Sequence, residues 1–193
     1  LAAALVASSH ALYAAIWYHP QTFRHLAERT TPLRLLGANA VGVFSVLVAL
    51  LKICQQLGLY LIVSANYADT SAAVRDIVLA ASPPRLIAAA VLLATGQLLN
   101  ASIYMAIGKD GVYYGFKLGR PVPWSNAFPF SAGFRHPQYV GGILCELGLF
   151  SICSTRSSCE AGLPYLLAWW LALYALTSAI EASGDNDGAK SSD

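Results

Sequence analysis

The chain has 193 residues, 56% of them hydrophobic and only 11% charged. That charge content is less than half the roughly 25% of an ordinary soluble domain, which argues against a water-facing globule. A net charge of +2 is too small to recruit nucleic acid, and the length calls for one domain.

The first element in chain order is an apolar run from Leu1 to Tyr18 that carries only His10. No small-residue cleavage site leads from it into a soluble domain, so it reads as a span and not as a signal-peptide core. Residues 35–63 form a second run interrupted only by Lys52, long enough to imply tilt or an interfacial end. Residues 86–107 contain no charge at all and supply about the 20 apolar residues that a span needs. Residues 139–152 are shorter, glycine-rich and contain Glu146, so they either cross at a tilt or dip in and pack against their neighbours. A final run covers 161–180, with Pro164 tolerable in its first turn. The expected architecture is all-α, a polytopic integral membrane helical bundle with four to five spans. A single membrane-embedded domain occupies 1–182, and 183–193 forms a polar, frayed tail.

Charge sets the expected orientation. Residues 19–34 carry a net +2, from Arg24, Arg29 and Arg34 against Glu28. Residues 108–138 carry a net +3, from Lys109, Lys117, Arg120 and Arg135 against Asp110. The alternate loops are neutral. Positive loops remain on the cytosolic side, so five spans put both basic loops and the segment from Glu181 onward together on that side.

Cys54, Cys145, Cys153 and Cys159 form no C-x-x-C pair, and no histidine stands at metal-ligand spacing, so no metal is expected. Apolar packing accounts for the cysteines, with a Cys153–Cys159 disulfide as the alternative on the oxidising side. The sequon at Asn100 lies within a span and reads as chance. Lys52 and Glu146, ionisable within apolar runs, are functional suspects: the lysine snorkels or pairs, and the glutamate faces the bundle or a polar pocket.

The densest information lies between Gly108 and Gly142. Gly108, Gly111, Gly115 and Gly119 recur at helical spacing and should share one face. Such a face is either a close-packing seam between membrane helices or a place where missing side chains let a ligand lie against the backbone. Its position at the end of a span, interleaved with Lys109, Asp110, Tyr113 and Tyr114, favours the ligand. Further on, Phe134-Arg135-His136-Pro137-Gln138-Tyr139 opens the fourth run. Proline suits a first helical turn, so Arg135 would stand just ahead of a positive helix end suited to carboxylate or phosphate. The alternative for Arg135 is plain snorkelling to headgroups.

Together, Gly108-x-x-Gly111-x-Tyr-Tyr-Gly115, Pro123-Trp124, Phe128-Pro-Phe130 and Arg135-x-Pro137-Gln-Tyr139-Val-Gly141 resemble the phospholipid N-methyltransferases, and among them the plant-type branch. His19-Pro-Gln-Thr22 and Glu181 also correspond. The likeness is dense from Gly108 to Gly142 and weaker elsewhere. The Arg-His-Pro-x-Tyr element alone is shared with isoprenylcysteine carboxyl methyltransferases. The resemblance implies S-adenosylmethionine as methyl donor, held by Gly108, Gly111, Gly115, Arg135 and Glu181. It also implies phosphatidyl-N-methylethanolamine and its dimethyl counterpart as acceptors, and an endoplasmic reticulum membrane with a cytosol-facing site. The animal branch has two adjacent glutamates where this chain has Glu181 followed by Ala182.

The chemistry then sets further requirements. An amine must shed its proton before it can attack a methyl group, and amines are mostly protonated at neutral pH. His136 is the favoured acceptor, with Tyr139 and Glu181 as rivals. A methylated ammonium suits aromatic faces, for which Tyr113, Tyr114, Trp124, Phe128 and Phe130 are candidates. A prenylcysteine carboxyl methyltransferase and a non-enzymatic packing or transport protein are the competing readings.

Overall fold

The computed structural model describes residues 1–134 and 136–190, the last seven of these by backbone alone. The described residues form helices joined by turns, with no strand. In order the helices are α1 (Ala2–Tyr18), α2 (Pro20–Arg29), α3 (Thr31–Arg34), α4 (Ala40–Ser64), α5 (Thr70–Ala80), α6 (Pro83–Val112), α7 (Pro137–Cys153), α8 (Arg156–Glu160) and α9 (Leu163–Lys190). Among them α4, α6 and α9 are long and apolar enough to cross a membrane. Helices α1 and α7 are apolar but have 17 residues each, about 25 Å at helical rise, against a hydrocarbon core of about 30 Å. The all-α membrane bundle expected from composition is the architecture present.

Local sequence explains the boundaries. Part of the excess length anticipated in 35–63 lies outside the helix, which still has 25 residues. Residues 35–39 form a turn, and Asn39 starts α4 by accepting a hydrogen bond from the Gly42 N–H at 2.9 Å. Proline occupies the first turn of α2, α6, α7 and α9, where its missing donor costs nothing. The free surface is what a bilayer demands: Ile53, Leu98 and Met105 are 66%, 69% and 87% exposed. Those values would be liabilities in water and are ordinary against lipid.

The five apolar helices form an open arc. Helix α6 packs on α7, α7 on α9, α9 on α1 and α1 on α4. The close α6–α7 contact rests on Gly96, Gly141 and Gly148. A Cβ at Gly96 would fall 2.6 Å from Cys145 Sγ and from the Gly141 carbonyl, and one at Gly148 would fall 2.8 Å from Leu93 Cγ. This is the small-residue seam of a membrane helix pair, and it lies in the middle of the spans, away from the Gly108 block. On the α1–α4 side, fully buried Gln55 donates to the Val6 carbonyl at 2.7 Å. All four cysteines are unpaired thiols, so the alternative disulfide does not form.

A candidate active site at one end of the bundle

Helix α6 is interrupted before it ends. Gly108 adopts φ 65° and ψ −177°, a conformation closed to most side chains. One further turn carries the chain to Val112, and Tyr114 and Gly119 then take positive φ. The glycines at 108, 111, 115 and 119 therefore do not share a helical face as their spacing suggests, because the helix does not continue through them. Gly115 is the fold-back point: its N–H donates to the Asp110 carbonyl at 2.6 Å, and a Cβ there would meet that same carbonyl oxygen. The returning strand of chain is held by an Arg120–Asp110 ion pair at 3.6 Å and by Lys117, whose Nζ lies 3.8 Å over the Trp17 ring.

This fold-back drives Tyr114 into the bundle, where its ring meets Tyr13, Trp17 and Phe44. Its hydroxyl donates to Glu181 Oε1, and Tyr139, from the first turn of α7, donates to the same oxygen. His136 caps α7 and places Nδ1 3.5 Å from Glu181 Oε2, with its ring stacked on Tyr139. His136 Nε2 is buried with no hydrogen-bond partner among the described residues. Burial, reinforced by the charge of Glu181, pushes the Tyr114 phenol well above the ordinary tyrosine range. It therefore remains a proton donor to the carboxylate at any working pH.

A pocket of about 180 Å³ opens on this cluster. Its walls include Trp17 from α1, Gly111 from α6, Tyr114, Trp124 and Phe130 from the connecting loop, His136 and Tyr139 from α7, and Glu181 from α9. Helix α2 reaches the same end, where an added Cβ at Gly119 would fall 2.6 Å from Arg24 Nη1, so the two basic loops, in their described residues, meet Glu181 there as the loop charges anticipate. Of the other residues singled out in the sequence, Gly108 sits at the kink, where an added Cβ would meet only Pro123 Cγ, at 4.0 Å. Trp124 is largely exposed and leans on Phe116, and Phe130 packs among Ile107 and Val112. Phe128 is half-exposed and off the pocket wall. Arg135 lies outside the described residues.

Tyr113 turns the other way, into a second cavity of about 230 Å³ between the helices, and hydrogen-bonds Tyr104 there at 2.7 Å. The two cavities share Tyr139, Gln138, Val112 and Ile103 as a common wall. Sequence reasoning passed over two contributors, Trp17 and His10. Each reads locally as a span residue, and only the packing of α1 against α9 and the fold-back brings them to the cavities.

The geometry suits a methyltransferase site: one carboxylate held by two phenols, an imidazole beside it whose Nε2 has no partner among the described residues, a glycine in the wall, and aromatic faces around them. No solved structure matches the chain. Among characterised proteins it is similar to the phosphatidyl-N-methylethanolamine N-methyltransferase of Arabidopsis thaliana, 38% identical over 103 residues. That alignment covers 52% of this chain and 56% of the relative, so the chain matches only about half of the relative's length. The family model for phospholipid methyltransferases matches residues 84–183, which run from the start of α6 through Glu181 and take in the pocket walls apart from Trp17. On that match, the chain belongs to the phospholipid methyltransferase family.

Proposed function

We propose that this protein transfers methyl groups from S-adenosylmethionine to phosphatidyl-N-methylethanolamine and phosphatidyl-N,N-dimethylethanolamine, producing phosphatidylcholine. The site would face the cytosol from the endoplasmic reticulum membrane. The observation that carries the proposal is the convergence of Tyr114, Tyr139 and His136 on Glu181 in a pocket that includes Gly111. Family membership and the name of the Arabidopsis relative support the reaction class.

The residues present fit the donor. His136 Nε2 is a buried polar atom with no partner among the described residues, and Gly111 is packed so closely on Ile107 that an added Cβ would fall 2.6 Å from it, both residues lining the pocket. When bound, S-adenosylmethionine supplies an electrophilic methyl group on a sulfonium. Glu181 and the aromatic faces of Trp17 and Trp124 suit its cationic and ring portions, and Gly108 and Gly115 shape the segment that carries Gly111. From its place in the sequence, directly before His136, Arg135 would hold an anionic group of donor or lipid, a task for which a planar guanidinium is better suited than an ammonium.

The acceptor amine must lose its proton before or as its nitrogen attacks. With Nδ1–H directed to Glu181, His136 keeps a lone pair on Nε2 to take that proton. The two tyrosine hydroxyls hold the carboxylate in place and spread its charge, so that it orients the imidazole. Aromatic groups around the pocket suit the growing methylammonium. Held together, donor and acceptor meet the alignment that an in-line displacement needs.

The test supplies each of the three ethanolamine lipids to membranes of a host that lacks phospholipid methylation. Labelled phosphatidylcholine should form from the mono- and dimethyl lipids, with little product from the unmethylated one. Methylation of a prenylcysteine peptide and of no phospholipid would overturn the assignment.

A further inference from the structure

The second cavity holds a charge that the reaction scheme leaves unused. Lys52 is the thirteenth of the 25 residues of α4, and so lies near mid-membrane, where an ammonium is costly and needs a purpose. Its Nζ bonds the Tyr174 hydroxyl at 3.1 Å and sits 5.5 Å from that ring's centroid. No carboxylate stands within 4 Å of it among the described residues. Glu146 feels the lysine's charge only at longer range and leaves its Oε2 without a hydrogen-bond partner. The cavity around Lys52 is lined mostly by apolar surface, into which Asn100, Gln138 and His10 bring polar groups. His10 donates from Nδ1 to the Thr177 hydroxyl at 3.0 Å, and that hydroxyl donates in turn to the Leu173 carbonyl, so the buried Nε2 is an acceptor with no partner among the described residues.

We infer that Lys52, with the Tyr174 hydroxyl, binds the phosphodiester of the acceptor lipid while the lipid's amine reaches the Glu181–His136 pair. This rests on the methyltransferase reading and specifies which part of the acceptor each cavity receives. Three observations support it. Tyr139 belongs to both cavities: its hydroxyl bonds Glu181, and its ring lies 5.9 Å from that of Tyr174. Glu181 and Tyr174 are seven residues apart on α9, about 10 Å along the helix, a span suited to an aminoethyl phosphate with a hydrogen bond at each end. The cavity also has a lateral approach. Helices α4 and α6 are the open ends of the arc, and a groove between them, lined by Leu50, Ile53 and Lys109, shares Ala49, Tyr104 and Tyr113 with the cavity. An apolar groove of this kind admits acyl chains from the bilayer, which identifies the anion as lipid-borne.

The test uses the full chain in a neutral detergent with two acceptors that differ only at the phosphate: the N-methylethanolamine phospholipid, and a phosphate-free ether joining the same diacylglycerol to the same amine. Lys52→Gln should raise the KM for the phospholipid about tenfold or more, as expected for losing a charge-assisted contact. It should leave the KM for the ether and the affinity for S-adenosylmethionine unchanged, and Lys52→Arg should recover most of the loss. A Lys52→Gln enzyme that still prefers the phospholipid by the wild-type ratio overturns the inference. Acylation of Lys52 by a membrane-permeant succinimidyl ester, read by mass spectrometry, gives a second measurement on unmutated protein. Phospholipid should shield Lys52 while the ether and inorganic phosphate should not. Equal labelling with and without phospholipid, or shielding by inorganic phosphate alone, refutes a lipid phosphate site. Shielding by phospholipid in a protein that methylates no lipid would uphold the binding site and refute the reaction.

Discussion

The two ends of the bundle use polar residues in opposite ways. At the end away from the pocket, polar side chains are consumed in holding turns. Asn66 donates to the Ser157 carbonyl, and Arg85 donates to the carbonyls of Ser154 and Ile152. The Tyr67 hydroxyl bonds Asp76 and Thr155, and Thr155 and Ser158 cap α8 reciprocally. At the pocket end, His136 keeps a buried nitrogen without a partner among the described residues, and one carboxylate gathers two phenols and an imidazole. One end spends its polar side chains mainly on turns, with Arg85 Nε left over among the described residues, and the other gathers polar groups around a pocket that can take a ligand. Substitutions at the two ends should therefore separate activity from stability.

The largest loss should follow Glu181→Gln, which keeps the shape and removes the charge. Turnover should fall about a thousandfold, within the range for a group that governs proton transfer, while thermal unfolding in detergent shifts little. Glu181→Ala and Gly111→Val should each abolish S-adenosylmethionine binding while the protein still inserts, since the first empties the pocket of its carboxylate and the second drives a side chain into Ile107, which lines the same pocket. Calorimetric titration that finds wild-type affinity in both would remove the donor from this pocket.

His136→Ala should cost about a hundredfold. The deficit should widen as pH falls, because more of the acceptor amine is then protonated and its unassisted deprotonation is rarer. His136→Gln should behave alike if proton transfer and not packing is the role. A pH–rate profile unchanged from wild type would leave Glu181 or a water as the acceptor.

The sequence made one end of this molecule far easier to read than the other. Spans were legible because bilayer thickness imposes a length and a composition on each. Gathering of the basic loops at one end followed from charge alone. The glycine block was visible but misjudged in shape: spacing of three and four signals a helical face only while the helix continues, and Gly108 breaks it. The true packing seam, at Gly96, Gly141 and Gly148, was unreadable because its two halves lie on different helices. The same holds for the phenols on Glu181, since Tyr114 and Tyr139 reach it across 67 and 42 residues of chain. Lys52 stood out as a charge in a span, but its partner Tyr174 is 122 residues away.

At the opposite end the expected effects are smaller and purely structural. Thr155→Ala removes a buried cap whose Oγ1 accepts from the Ser158 N–H at 3.1 Å. It should cost about 1 kcal/mol of stability and leave turnover per folded molecule at the wild-type value. A drop in turnover with unaltered stability would show that the two ends are coupled through α7 and α9, and the division of labour would fail.

The smallest effect should come from Asp69, which starts α5 on the exposed surface. Its carboxylate accepts from Ser71 Oγ at 2.6 Å and from the Ala72 N–H at 2.9 Å. These bonds, the serine's first, hold its pKa below the ordinary value of 3.8. A pKa lowered in the folded state means that ionised Asp69 favours the fold. That contribution is present in full above the unfolded-state pKa and fades as pH falls through the folded one. Asp69→Asn should therefore lower the unfolding temperature slightly at neutral pH, and the gap from wild type should close below about pH 4. Turnover should be untouched at every pH. A gap that persists unchanged into acid would mean that the side chain acts as a neutral cap, since asparagine and aspartate both serve at that position.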